Sequence, residues 1–206
     1  MSAQRVILAS SNAGKLKELA ALLTPLGFEL TAQESLGIES PPETGATFLD
    51  NALIKARHAA QRGLPAIADD SGIEVDALGQ APGVRSARFA GDAAGDAENL
   101  EKLLQQMRDV PAARRGARYR CVIAFVRTPE DARPIIAHGS WEGHIASAAR
   151  GKGGFGYDPI FVPEGALRTA AELSAAEKNA VSHRALALRA LIAQLRAAAP
   201  ATGGAP

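Results

Sequence analysis

Apolar residues along this chain recur in two rhythms. Short unbroken runs bounded by turn residues predict buried strands, and apolar positions three and four apart predict helices. Arg5–Ala9 predicts a first strand. Gly14–Leu26 predicts a helix with Leu16, Leu19, Leu23 and Leu26 on one stripe, closed by Gly27 as a C-terminal glycine closes helices. Phe28–Ala32 predicts a second strand, and Glu34–Gly45, with two prolines, a loop. Thr47–Arg62 predicts a helix with Phe48, Ala52, Ala56 and Ala59 or Ala60 inward and Gly63 as its stop. Ala66–Ala68 predicts a short third strand.

A Gly/Pro-rich surface region is expected over Gly72–Gly95, and Asp96 is expected to cap a helix running to about Met107. Ala117–Arg127 and Pro134–Glu142 predict a long antiparallel pair joined by the polar Thr128–Arg133. Gly151–Gly156 reads as a glycine loop. Ser174-Ala-Ala-Glu177 is a capping-box pattern opening a short helix. A last helix is predicted from about His183 to Ala198, with Leu186, Leu188, Leu191, Ile192 and Leu195 for its core. The tail Ala199–Pro206 is expected to be disordered. There is no internal repeat. This order of elements predicts an α/β fold with a mixed sheet.

Composition narrows the function. With 206 residues, 47% of them hydrophobic, the chain can build one good core, in one or two lobes. Lys plus Arg total 23 and Asp plus Glu 22, without a long basic run, which argues against a nucleic-acid polymer as partner. The single cysteine, Cys121, excludes an internal disulfide and a multi-cysteine metal site, and its apolar run predicts a buried, inert thiol. No signal peptide and no apolar stretch of roughly 20 residues is seen, so a soluble cytoplasmic protein is expected.

Against that background, Ala66-Ile-Ala-Asp-Asp-Ser-Gly72 stands out. A strand runs into two carboxylates, a hydroxyl and a glycine, and α/β proteins place their chemistry at strand ends. Neighbouring acids in a partly buried site need help to ionise, and a divalent cation is the usual help. On an extended segment Asp69 and Asp70 point to opposite faces, so at most one touches a given metal directly. Glu43 could complete that site. The alternative is an Asx-type turn.

Three further segments carry candidate chemistry. Ser10-Ser11-Asn12-Ala13-Gly14-Lys15 joins the first strand to the first helix, where exposed amides and the positive helix end attract phosphate. Ala9 and Leu16 stand where a Walker A loop needs glycine and Ser or Thr, which excludes a P-loop NTPase. Gly151, Gly153 and Gly156 match G-x-G-x-x-G by letter, but Tyr157-Asp158-Pro159 follows instead of a helix, which excludes a dinucleotide fold. What survives is a backbone approaching a flat ligand, with Phe155 or Tyr157 to stack. Lys178, His183 and Arg184 supply cations and donors near a helix start, Arg184 with a planar fork suited to phosphate or a purine carbonyl. Each segment could also be structural: a plain helix cap, a tight turn, or solvated charges. His58, His138 and His144 show no metal spacing and are expected to be surface or structural residues.

Taken together, these motifs resemble the inosine triphosphate pyrophosphatase (Ham1-like) family. The resemblance runs from Val6 to about Leu195, through SSNAGKLKEL, ETGATFLDNALIKA, ADDSGIEVDALGQAPGVRSARFAG, GKGGFGYDPIF and SHRALAL in that order. It implies a single catalytic domain over 1–198, of two α/β lobes around a long mixed sheet, with the active site between them. It implies hydrolysis of ITP, dITP or XTP between the α and β phosphates, with Mg²⁺ as cofactor, in a homodimer that cleanses the nucleotide pool.

By the same resemblance, Ser10, Ser11, Asn12, Ala13, Gly14 and Lys15 would hold the triphosphate. Glu43 and Asp70 would hold the metal, Asp70 would accept the proton of the attacking water, and Ser71 would touch substrate. Phe155, Gly156, Tyr157 and Asp158 would frame the base, and Lys178, His183 and Arg184 would reach its carbonyls. Glu18 and Lys55 would support these groups. Ser11 departs from the glycine or threonine of many relatives. A pyrophosphatase of the related Maf type, a nucleotide-binding sensor without turnover, and a phosphatase releasing orthophosphate are the competing readings.

Overall fold

The computed structural model describes residues 4–198; the side chains of Gln4, Ala13, Leu22 and Leu26 lie outside the description. The predicted tail Ala199–Pro206 and the place of Leu26 in its stripe therefore fall outside the described residues.

One mixed sheet organises the chain. Strand β1 (Gln4–Leu8) lies between β2 (Phe28–Ala32) and β3 (Ala66–Val75), parallel to both. β4 (Gly116–Val126), β5 (Ile135–Ile145) and β6 (Phe161–Pro163) continue antiparallel, giving the order β2-β1-β3-β4-β5-β6. The helices are α1 (Ala13–Leu23), α2 (Phe48–Ala60), α3 (Asp96–Gln106), α4 (Ala175–Val181) and α5 (His183–Ala198).

Both faces of the sheet are covered. On one, Leu19 and Leu23 of α1 and Leu188 and Leu191 of α5 pack on Val6, Leu8, Ile67 and Ile123. On the other, the predicted inward residues of α2 pack on Ile7, Ala66, Ala68 and Ala124. A third packing centre, at the far end of the long strands, joins Leu103 of α3 and Met107 to Ile73, Val75, Tyr119, Trp141 and Phe161. Arg115 fixes that end by donating to the carbonyls of Met107, Val110, Ile145 and Ala146. The middle of β3, Asp69–Gly72, lies between these centres. It also lies next to the β1/β3 boundary, where the chain has left β1 on one side and returned on the other. Open α/β sheets hold ligands at such switch points.

Several expectations are corrected. β3 is ten residues long, not three, because Asp69-Asp70-Ser71-Gly72 pairs with Ile123, Val122, Cys121 and Arg120 of β4. A segment with turn-like residues is held extended by its partner strand. Helix α1 stops at Leu23 and a tighter turn over Thr24–Leu26 follows, since Pro25 cannot continue an α-helix. Gln33–Leu36 forms one such turn where the predicted loop begins. Gly95, not Asp96, is the N-cap of α3, with Glu98 closing back on its amide. Leu186 is exposed, and its expected core place is taken by Ala185 and Ala187. A Cβ at Gly139 of β5 would lie 2.0 Å from the His183 carbonyl oxygen and 2.6 Å from the Ala187 amide nitrogen. The start of α5 thus rests directly on the sheet, and at position 139 only glycine fits under it.

Three local expectations agree with the structure. The hairpin, the Ser174 capping box and the buried Cys121 are present, and burial pushes the Cys121 thiol up to about 12. His138 and His144 are exposed and His58 is half-buried.

Candidate active site

A cavity of about 620 Å³ opens over the middle of β3. Ser10, Ser11, Asn12, Lys15, Glu43, Lys55, Asp70, Ser71, Phe155, Gly156, Tyr157, Asp158, Lys178, His183 and Arg184 all line it. Of the other named residues, Gly14 and Glu18 sit just behind the wall, and Ala13 supplies the first residue of α1.

One end of the cavity is the loop from β1 into α1. Asn12 is the N-cap, its side chain accepting the Lys15 amide at 3.0 Å, and Ser10 accepts the Asn12 amide at 3.2 Å. This orders the loop at a helix end whose first amides have no intrahelical partner. A Cβ at Gly14 would lie 2.7 Å from the Phe155 ring. Glycine therefore lets the loop proposed for phosphate and the loop proposed for the base touch.

The acid wall comes from α2 and the loop before it. The Lys55 ammonium donates to Glu43 at 2.6 Å and to Asp70 at 3.1 Å. Buried Asn51 donates to the other Asp70 oxygen at 3.3 Å and accepts the Gly45 amide. Arg88 lies 3.6 Å from Glu43. Burial raises the Asp70 pKa, and with Glu43 nearby it outweighs Lys55 and Lys15. Glu43 is held below the usual range, because Lys55, Lys15 and Arg88 overcome its burial. Asp70 is thus a carboxylate with above-ordinary proton affinity, facing the cavity.

Asp69, next along β3, turns to the opposite face as its register requires. Burial would raise its pKa, but Lys15, Arg184 and Lys55 hold it well below the carboxylate range.

The opposite wall is a network of buried ion pairs. Arg184 donates to Glu18, to Asp69 at 3.4 Å and to Ser71 at 3.1 Å. Lys178 donates to Glu18 at 2.8 Å and to Asp158 at 2.7 Å. Asp158 also accepts the Phe155 amide, fixing the glycine loop. Both cations lie over the Phe155 ring, Lys178 at 4.7 Å and Arg184 at 5.7 Å from its centre. His183 stacks on Tyr119 at 4.6 Å and 8°. Burial, then the charges of Arg184 and Lys178, push its pKa well down, so the imidazole is neutral; its Nδ1 has no hydrogen-bond partner.

The sequence reading passed over several lining residues. Asp96 accepts the Gly156 amide at 2.8 Å, tying the glycine loop to α3. Ser86 accepts the Ile73 amide, and its carbonyl accepts the Tyr157 hydroxyl at 2.8 Å. Ser86 and Arg88 lie inside GVRSARFAG, so the motif contained them, although the region reads as plain surface. Nothing local marks Tyr119, which lines the cavity, or Asn51, which holds Asp70 from behind its wall.

A family model described as the Ham1 family matches residues 6–194. A dITP/XTP pyrophosphatase of Salmonella typhimurium is 56% identical over 194 residues, 94% of this chain and 98% of that one. One from Methylococcus capsulatus is 55% identical over 202 residues, 98% of this chain and 99% of that one. Among solved structures, a HAM1 protein from Coxiella burnetii superposes with a TM-score of 0.87 at 49% identity, covering 95% of this chain and 100% of that one.

Proposed function

The chain belongs to the Ham1 family, and from that premise we propose that its cleft cleaves ITP, dITP and XTP to the monophosphate and pyrophosphate. The enzyme is a hydrolase of non-standard purine nucleoside triphosphates. One observation carries the chemistry: Asp70 faces a cavity that also holds Glu43, a helix N-terminus with Lys15, and an aromatic ring.

Phosphoanhydride hydrolysis needs charge neutralised on the transferred group and a water placed in line. Glu43 and Asp70 would hold Mg²⁺. Their oxygens converge on the single Lys55 ammonium from two different elements, which is the geometry of a shared cation position. No cluster of three or more His, Cys, Asp or Glu suited to a metal occurs among the described residues. Two carboxylates plus substrate oxygens suit Mg²⁺, which keeps several waters. When bound, the ion neutralises phosphate charge and makes a nearby water more acidic. Asp70 takes the proton of the attacking water. Ser10–Lys15 hold the phosphates, and Ser71 completes the middle of the cleft.

Phe155 stacks on the base, framed by Gly156, Tyr157 and Asp158. Purines with a 6-carbonyl are chosen over those with a 6-amine by donors at this end. Two of the three Lys178 donors go to Glu18 and Asp158, which leaves one that would serve the base together with backbone amides, His183 and the edge of Arg184. An amine presented to such donors leaves them unpaired, a difference of roughly 10⁴ in the best cases. No helix among the described residues is long and apolar enough to cross a membrane. We place the enzyme in the cytoplasm, as a homodimer, acting on free nucleotides and not on nucleic-acid polymers.

The test is turnover of ITP, XTP, ATP and GTP with Mg²⁺, reading pyrophosphate and orthophosphate separately. Pyrophosphate from ITP and XTP, with little from ATP or GTP, is expected. Orthophosphate, or tight binding without turnover, would refute the proposal.

A further inference from the structure

We infer that Asp69 is a positioning residue that couples the phosphate end of the cleft to its base end. Its side chain is fully buried, and three groups converge on one oxygen, Oδ2: Ser71 Oγ donates at 3.1 Å, Lys15 Nζ lies at 3.3 Å and Arg184 Nε at 3.4 Å. Lys15 belongs to the loop assigned to phosphate and Arg184 to the wall assigned to the base. The two cations share one counter-charge.

Helix α1 closes the same circuit behind them. Glu18, one turn after Lys15, receives both Arg184 and Lys178. Buried charges keep their geometry only when every partner is present, since an unpaired one is costly in a medium of low dielectric. A shift of Lys15 toward a phosphate therefore changes the field on Arg184 through Asp69, and a shift of Arg184 acts on Lys15. Oδ1 of Asp69 is buried without a partner, so the whole hold on this carboxylate passes through Oδ2 and the three groups that meet there. Asp69 itself does not line the cavity; it acts through residues that do.

This inference rests on the nucleotide reading above. Its test is a double-variant cycle on the full chain, with kcat/KM for ITP and for ATP measured in Lys15→Met, Arg184→Lys and their combination. The combined loss should differ from the product of the single losses by about 5-fold, the size expected of groups in one network. In an Asp69→Asn background that discrepancy should shrink to within about twofold, and the ITP-to-ATP ratio of kcat/KM should fall about 10-fold. Multiplicative losses in the native background would overturn the coupling, even if Asp69→Asn does not fold. So would a discrepancy or an ITP-to-ATP ratio unchanged by a folded Asp69→Asn, the result of a merely structural role. Native protein that fails to cleave ITP would instead refute the nucleotide reading and with it the inference.

Discussion

The α2 wall and the α5 wall of the cleft both bury carboxylates against cations, yet they are balanced differently. On the α2 wall Asp70 has one ammonium, Lys55, and shares it with Glu43, which alone has Arg88 at 3.6 Å as well. On the α5 wall Lys15, Lys178 and Arg184 meet Glu18, Asp69 and Asp158. The consequence appears in two adjacent residues of one strand: the Asp70 pKa is raised and that of Asp69 is lowered. An under-compensated carboxylate can take a proton or a metal. A saturated one holds geometry. The cleft thus separates reactivity from shape by facing neighbouring residues to opposite sides of β3.

The largest effects should come from the wall that holds Asp70. Excess chelator should reduce ITP turnover on the order of 10³-fold or more, because no side chain can replace the charge neutralisation. Turnover that persists without divalent metal would remove the cation from Glu43 and Asp70. Asp70→Asn should lower kcat by about 10² to 10⁴-fold while ITP still binds. Near-native kcat in that variant would assign the base elsewhere and erase the contrast between the two walls.

The α5 wall should respond in affinity. Phe155→Ala removes a stacking surface, a loss of about 1–3 kcal/mol per base, and should raise KM for ITP and ATP alike. The ITP-to-ATP ratio should stay put, since every base has a π-face; a ratio that collapses would give Phe155 a role in reading the base edge. Arg184→Ala is a poor probe here. It would take one of two cations from each of Asp69 and Glu18 and open a void in the interior, and a folding defect would mask any change in substrate choice. Lysine keeps the charge and loses the fork.

Much of this was legible in the chain, for reasons that also explain the misses. The stripes of α1 and α2 and the long hairpin are local patterns, and they fold as patterned. The length of β3 is not local. Asp-Asp-Ser-Gly favours a turn, and only pairing with Val122 and Cys121 draws it straight. Asp96 has the chemistry of a cap, but Gly95 takes that position and the carboxylate serves Gly156, sixty residues away in sequence. Leucine spacing on α5 pointed to Leu186, whereas the approach allowed by Gly139 selects alanines. The site residues were gathered by the order of five motifs. Their division into a reactive and a rigid wall depends on which charges meet, and that emerges only in three dimensions.

The smallest effect is a pH dependence from the rigid wall. His183 is neutral in the fold because burial, Arg184 and Lys178 disfavour its proton more than Asp69 favours it. In the unfolded chain its pKa is about 6.5. Below that pH the unfolded state binds a proton that the folded state refuses, so His183 lowers stability progressively as pH falls and contributes no slope above it. His183→Gln removes this burden. Its stability relative to the native chain should therefore improve by about 1 kcal/mol between pH 7.5 and 5.5, read from urea unfolding at both. A difference independent of pH would mean that the imidazole takes up its proton inside the fold. The α5 wall would then carry a titrating group after all, and its rigidity could no longer be set against the reactivity of Asp70.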